Sequence, residues 1–236
     1  MPTTKREVLA WLKENADPRG IEHWSRRSQD LTSYGIGLTR LRKYAKQIGR
    51  DHKLAQSLWK SDVYESKILG LLVDDPKKIT REQAEEQVGG GLSSGYLAHV
   101  FASCDATLAK TPFAFELASD WVDSKDAMRR RCGYALLYEL SKKKPKGMDD
   151  DYLLDRIRHI RKTIHSEDMW VREAMNTALM GIGKRNQVLN TAAIEAAEAI
   201  GPVDIDYGDD NQCEPLDVIK HLKTDYLQKK LFGATK

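Results

Sequence analysis

Apolar residues recur at spacings of three and four along almost the whole chain, and no segment shows the strict alternation of a half-buried strand. This pattern predicts an all-α protein. Glycine and proline clusters separate the predicted helices, and residues 201–236 are expected to form a C-terminal loop and tail helix. Helices are expected near residues 4–16, 20–31, 38–49, 51–60, 62–74, 80–88, 93–109, 112–122, 125–143, 150–165, 168–184 and 187–200.

Two of the predicted helices begin at a capping box. Thr4 precedes Glu7 by three residues, and Thr80 precedes Gln83 by the same spacing. In this motif the hydroxyl accepts a hydrogen bond from the third amide of the helix, and the Glu or Gln side chain returns to the cap. The spacing therefore predicts that one helix begins just after Thr4 and another just after Thr80.

An internal repeat indicates stacked helix pairs. Residues 126–136 and 168–179 share an acidic first residue, a large residue two positions later, an Arg and then small and apolar residues, and they start 42 residues apart. Residues 62–72 fit the pattern loosely, and any capped amphipathic helices could share some of it. A period of about 40–47 residues is typical of HEAT-type repeats. We therefore predict a single domain over residues 1–236, a HEAT-like helical-repeat solenoid.

The net charge of +3 is a small remainder between 38 basic and 35 acidic residues, so it identifies no partner. Residues 1–60, however, hold 13 basic and six acidic side chains, so positive charge is concentrated in the N-terminal part of the chain. The longest apolar run, Ile68 to Val73, is far shorter than the ~20 residues of a membrane span. Three widely spaced cysteines and no apolar leader favour a cytoplasmic protein, which we expect to be a monomer without membrane contact.

The predicted helix 38–49 has an apolar face opposite a face of four cations. Those cations are Arg42, Lys43, Lys46 and Arg50. Helix 150–165 places Arg158 and Lys162 beside its apolar arc, and residues 129–131 are three consecutive arginines. Several cations along one edge suit the phosphates of a nucleic acid, whose binding releases counterions. A solvated face without a ligand is the alternative for any one helix.

Motifs for enzymatic chemistry are absent from the sequence. It has no nucleophile elbow, no P-loop and no zinc-protease helix, and its six histidines show no metal-ligand spacing. We therefore expect neither a metal nor a cofactor. Each of the five tryptophans has apolar neighbours at helical spacing, so four are expected in the core, and Trp170 is the candidate for stacking on a base.

Several segments resemble the DNA alkylation repair family of HEAT-like-repeat proteins. The resemblance extends from about residue 30 to residue 222, and each of its motifs is weak alone. It is carried by Tyr34-Gly-Ile-Gly-Leu-Thr-Arg-Leu-Arg-Lys-Tyr-Ala-Lys, by Leu58-Trp-x-Ser-x-x-Tyr-Glu-Ser, by Trp121-Val-x-Ser-x-Asp-x-Met-x-Arg-Arg, by Trp170-Val-Arg-Glu-Ala-Met-Asn and by residues 203–216.

The resemblance implies a curved solenoid whose concave, positively charged surface holds double-stranded DNA. In active members an Asp and tryptophans at this groove assist the excision of alkylated purines. The acidic residue aligns here with residues 93–102, which contain neither a carboxylate nor a Trp. We therefore expect a DNA-binding protein with no catalytic residue of that kind, because no other group there offers the same charge stabilisation. Its DNA-binding candidates are Arg42, Lys43, Lys46, Arg50, Arg130, Arg131, Arg158, Lys162 and Arg172.

Two alternatives remain open on the sequence. An active glycosylase could use a displaced acid, for which Asp105 and Asp123 are the candidates. A protein-interaction scaffold could instead bind a protein partner in its groove, since helical-repeat folds serve both purposes.

Overall fold

The computed structural model describes residues 3–26, 30–208 and 213–233, and within them the secondary structure is helical. The chain divides into two compact units, Met1–Pro112 and Phe113–Lys236. The helices are α1 (Lys5–Glu14), α2 (Pro18–Ser25), α3 (Leu38–Ile48), α4 (His52–Trp59), α5 (Tyr64–Val73), α6 (Arg81–Gly89), α7 (Leu97–Ala102), α8 (Ala114–Val122), α9 (Ala127–Ser141), α10 (Asp150–Thr163), α11 (Met169–Gly183), α12 (Gln187–Ile200), α13 (Val218–Leu222) and α14 (Asp225–Phe232). The all-α prediction is confirmed, and the single-domain assignment stays a prediction.

The first unit is built around α5, whose residues are almost all buried. Helices α1, α3, α4 and α7 pack against it. A helix that is apolar on every side must lie in the interior of its unit, and the continuous run from Ile68 to Val73 supplies that property. The run therefore forms the centre of the core of this unit. None of the described helices is long and apolar enough to cross a membrane.

A fully buried carboxylate, Glu65, organises the loop before α3. It accepts hydrogen bonds from the Ser33 hydroxyl at 2.6 Å and from the backbone N–H groups of Tyr34 and Ile36 at 3.1 and 3.2 Å. Three donors replace the water that burial removes from the carboxylate. Glu65, the middle residue of the Tyr64-Glu65-Ser66 motif, therefore holds the loop before α3 against α5.

The same loop requires glycine at a close backbone approach. Gly35 has a φ of +71°, a conformation that costs glycine little. A Cβ added to Gly20 would lie 2.1 Å from the carbonyl oxygen of Gly35. The Gly-x-Gly segment is thus a turn packed against α2.

The second unit consists of helix pairs arranged in two layers. Helices α9, α11 and α13 pack one against the next, and we call them the α9 layer. The α8 layer contains α8, α10 and α12, in which α10 packs on α12, and Ser119 of α8 donates to Tyr152 of α10. Each α8-layer helix also packs against its partner in the α9 layer.

The 42-residue repeat corresponds to a real structural repeat. Helices α9 and α11 each contain 15 residues, begin 42 residues apart and pack closely against each other. The two segments are therefore equivalent helices of successive pairs, as the sequence pattern predicted.

The two capping boxes differ in how far they form. Thr4 accepts from the backbone N–H of Glu7, and the Glu7 carboxylate accepts from the Thr4 N–H at 2.7 Å, so this box is complete. Thr80 accepts from the Gln83 N–H at 3.2 Å, but the Gln83 side chain donates instead to the buried carboxylate of Asp74 at 2.8 Å. The second box is therefore half formed.

The predicted helix over residues 93–109 is wrong, because α7 covers only Leu97–Ala102. Gly95, Cys104 and Asp105 have φ values of +51°, +51° and +67°, and such residues end helices. Apolar spacing alone did not reveal these turns, since the turn residues are followed by buried side chains. The predicted helix 20–31 ends at Ser25, and residues 27–29 lie outside the described residues.

Candidate nucleic-acid interface

Three of the four cations predicted on α3 line one cleft of about 340 Å³ in the first unit. We call it the α3 cleft. Arg42, Lys46 and Arg50 contribute from α3 and its end, whereas Lys43 is exposed on α3 and is not part of the lining. The remaining lining residues are Ala45, Gly49, Leu72, Cys104, Asp105, Thr107 and Lys110.

Arg50 is used by the fold. Its Nη1 atom donates to the carbonyl oxygens of Leu72 and Asp74 at 2.7 and 2.8 Å, and to the Thr107 hydroxyl at 2.9 Å. These bonds join the end of α5 to the segment that closes the cleft. Arg50 therefore shapes the cleft and keeps its positive charge there, since a guanidinium stays protonated in proteins.

Arg42, unlike Arg50, has a donor that the described residues leave unused. Its Nη2 atom is buried and has no hydrogen-bond partner among the described residues. A buried donor without an acceptor is costly and calls for an explanation, which an anionic ligand would provide. Lys46 is exposed, and Lys110 lies 3.3 Å from the Asp105 carboxylate, which is 83% exposed.

A thiol and an imidazole meet at the cleft. Cys104 is exposed, and its Sγ atom lies 2.8 Å from Nε2 of His99. Both Cys104 and the following Asp105 have left-handed backbones. The turn therefore directs a thiol and a carboxylate to the same lining.

Trp170 and Arg131 form an exposed aromatic surface in the second unit. The Arg131 guanidinium carbon lies 4.9 Å from the centroid of the Trp170 ring, and Trp170 is 40% exposed. Tyr207 lies beside it, with 6.2 Å between ring centroids and 59° between planes. We call these three side chains the Trp170 platform. Burial lowers the pKa of Arg131, which nevertheless remains a cation at neutral pH.

The platform lies where α9 and α11 begin. Arg131 is near the start of α9, and Trp170 and Arg172 are in the first turn of α11. The positive ends of both helix dipoles are therefore near the platform. The Nε atom of Arg172 is buried and has no hydrogen-bond partner among the described residues.

Arg130, another predicted contact, is held inside the second unit. Its Nε and Nη2 atoms donate to the Glu167 carboxylate at 2.9 and 2.7 Å. Its Nη1 donates to the carbonyl oxygens of Ser124 and Lys125. Both partners of the ion pair are largely buried, with 17% and 12% of their side chains exposed. Arg130 is therefore a structural residue.

Arg158 and Lys162 lie on α10, in the other layer from Arg131 and Arg172. Arg158 is 69% exposed and is 3.3 Å from Asp155, and Lys162 is exposed. The structure thus places the predicted cations of the second unit on both layers.

Two of the four tryptophans expected in the core, Trp59 and Trp121, are buried. The other two are half-buried: Trp11 stacks on Tyr44, and Trp24 lies tilted against Tyr64. Trp170, the candidate for stacking on a base, is exposed.

The two displaced-acid candidates differ in their surroundings. Asp123 accepts from Arg156 at 2.8 Å, and its side chain is 56% exposed. Asp105 lies 3.3 Å from Lys110 and presents a more exposed carboxylate, which lines the α3 cleft. Sequence reasoning missed Thr107 and Lys110, because no motif surrounds them and their positions follow from tertiary packing. It also missed Tyr207, which lies within the family-like segment 203–216 but whose place beside Trp170 follows from tertiary packing.

A solved structure matches 98% of this chain and 97% of its own, with a TM-score of 0.81 and 20% sequence identity. It is described as a new family of proteins related to the HEAT-like repeat DNA glycosylases with affinity for branched DNA structures. This similarity defines the fold class as a HEAT-like helical repeat, which confirms the expected architecture.

The family model of DNA alkylation repair enzymes matches residues 8–208, and the chain belongs to this family. The uncharacterized protein Lin0241 of Listeria innocua is 27% identical over 201 residues, which cover 82% of this chain and 83% of the relative. The uncharacterized protein Lmo0209 of Listeria monocytogenes is 26% identical over the same shares.

Proposed function

We propose that this chain binds double-stranded and branched DNA and does not excise alkylpurines. The observation that carries the proposal is the Arg131 guanidinium resting on the exposed ring of Trp170. A cation on an aromatic face is a combination that nucleic-acid-binding proteins use, because it offers a phosphate partner and a stacking surface in one place.

The platform favours DNA whose bases are accessible. Inside a continuous duplex each base is already stacked on both faces, so an aromatic side chain gains little by approaching it. A branch point or a strand end exposes the face of a base pair, on which Trp170 can stack. We therefore propose a preference for branched DNA over uninterrupted duplex, which agrees with the affinity described for the solved relative.

Loss of excision follows from the residues at the expected acidic position. Residues 93–102 carry no carboxylate, and the large exposed side chain there is Tyr96. A neutral phenol does not stabilise a developing oxocarbenium ion as a carboxylate does.

The test is a binding titration with a four-way junction and a linear duplex of the same base composition over a range of salt. We expect tighter binding to the junction and a log affinity that falls linearly with log salt concentration, since phosphate contacts release counterions. The Arg131→Ala variant should lower that slope by about one.

Arg158→Ala is the matched control, because it removes an exposed arginine from the other layer of the same unit. It should leave the preference for the junction intact. Binding that does not depend on salt, or equal affinity for the two DNAs, would overturn the proposal.

A displaced-acid glycosylase is the second candidate, and the exposed Asp105 carboxylate in the cationic cleft is the observation that favours it. Incubation with duplex DNA containing a positively charged alkylpurine decides between the two functions. Release of the free base above the spontaneous rate, abolished in Asp105→Asn, would establish the second candidate.

A further inference from the structure

We propose that the α3 cleft binds the phosphomonoester at the end of a DNA strand. The inference rests on the proposed DNA-binding function and adds a specific group that the protein recognises. It concerns the first unit alone, because every lining residue belongs to that unit.

The charge of the cleft exceeds what one phosphodiester needs. Its lining contains four cationic side chains, Arg42, Lys46, Arg50 and Lys110, and one carboxylate, Asp105. A phosphodiester carries a single negative charge, whereas a phosphomonoester with a second pKa near 6 carries close to two at neutral pH. The excess of positive charge therefore matches the terminal group better.

Two side chains of the cleft lining keep a hydrogen-bond donor that the described residues do not use. The buried Nη2 of Arg42 has no acceptor among the described residues. The Thr107 hydroxyl accepts from Arg50 at 2.9 Å and keeps its own hydrogen for a further acceptor. Because Arg50 also holds two backbone carbonyls, this side of the cleft is formed before any ligand arrives.

The shape of the cleft favours a group that enters end-on. The turn around Cys104 and Asp105, with its two left-handed residues, closes one side against α3. An internal phosphate is joined to a nucleotide on both sides, so the strand lies along a protein surface. A terminal phosphate is joined on one side only and can enter a recess. None of the described residues that line the cleft is aromatic, so they offer no surface on which the base of a free mononucleotide could stack.

The experiment compares nicked duplexes that differ only in a 5′-phosphate or a 5′-hydroxyl at the nick. The full chain should bind the phosphorylated nick about tenfold more tightly, as expected for two or more charge-assisted hydrogen bonds. The preference should disappear in Lys46→Ala and in Arg42→Gln. It should persist in Lys43→Ala, which removes an exposed cation of the same helix from outside the cleft.

Cys104 provides a direct reading of occupancy in a Cys213→Ser background, since Cys132 is buried and Cys104 lines the cleft. The 5′-phosphorylated nick should slow the reaction of Cys104 with a thiol reagent, and the 5′-hydroxyl nick should not. With both nicks at saturating concentration, this reading does not depend on overall DNA affinity.

The outcomes separate the two proposals. Binding of both nicks with equal affinity and equal Cys104 reactivity would leave DNA binding standing and overturn the strand-end site. Protection of Cys104 by inorganic phosphate or a mononucleotide, but not by the phosphorylated nick, would also overturn it. Absence of binding to every DNA would remove the proposed function itself.

Discussion

The α3 cleft and the Trp170 platform carry the same kind of charge in different surroundings. Among the described residues, the cleft is a recess lined by four cations and no aromatic side chain, whereas the platform is an exposed aromatic surface with one arginine on it. A recess favours a compact anionic group, and an exposed ring favours a flat one. The same sign of charge therefore does not imply the same kind of ligand.

Each region also contains an arginine used by the fold. Arg50 holds backbone carbonyls beside the cleft, and Arg130 forms the buried pair with Glu167 near the platform. Their neighbours Arg42 and Arg172 each keep a buried guanidinium nitrogen that has no hydrogen-bond partner in the described part of the chain. The contrast teaches that internal contacts, more than sequence position, decide which cations are available to a ligand.

The largest effect should come from Arg130→Ala, which would test this division of roles. The substitution leaves the Glu167 carboxylate buried without its partner, so we expect a loss of about 3 kcal/mol in the free energy of unfolding. Urea denaturation measures it. Arg158→Ala, which breaks an exposed pair, should change the same quantity by about 0.5 kcal/mol or less. Similar losses in the two variants would contradict the structural role of Arg130.

Trp170→Ala should separate the platform from the cleft. Loss of the stacking surface should weaken junction binding by about 1–3 kcal/mol, while the salt dependence stays nearly constant because no cation is removed. Trp170→Phe should retain much of the affinity. A change in the preference for a phosphorylated nick in Trp170→Ala would show that the two regions do not act independently.

Arg50→Gln sharpens the comparison inside the cleft. The amide cannot reach the three oxygens that Nη1 contacts, so we expect a loss of about 1–2 kcal/mol in unfolding free energy together with weaker nick recognition. Lys46→Ala should weaken recognition and leave the unfolding free energy nearly unchanged. Parallel denaturation and binding curves measure both variants, and equal destabilisation would argue against a fold-holding role for Arg50.

The smallest expected effect concerns the phenol of the platform. Burial raises the pKa of Tyr207, and the negative charge of Glu173 raises it further. In Glu173→Gln the pKa should fall toward its ordinary value of 10.0 but remain above it, since the burial persists. Ultraviolet titration, with Tyr207→Phe subtracted to isolate this residue, gives the value. An unchanged pKa would show that Glu173 does not act on the platform.

Much of the fold was predictable because it depends on local patterns. Helix α3 begins at Leu38 as the sequence indicated, and α9 and α11 follow the predicted 42-residue spacing. These features arise from side-chain periodicity and caps within one or two turns. The length of α7 was not predictable in this way, because no glycine or proline marks the left-handed turn at Cys104 and Asp105 that follows the helix.

The site was predictable in part. The cationic face of α3 followed from helical spacing, and Trp170, the candidate for stacking on a base, is exposed. The engagement of Arg130 by Glu167 was not predictable, since 37 residues separate the two and no local signal connects them. For the same reason, no local pattern indicated that Tyr207 lies against Trp170.

The left-handed pair Cys104 and Asp105 bears on protein engineering. Glycine adopts this backbone with little strain, whereas a cysteine there costs of order 1–3 kcal/mol and an aspartate less. Two glycines would therefore relax the turn, yet they would also enlarge the unfolded ensemble and remove the side chains from the cleft. If the variant with two glycines were more stable than the natural protein, Cys104 and Asp105 would be shown to lower stability in return for a role in the cleft.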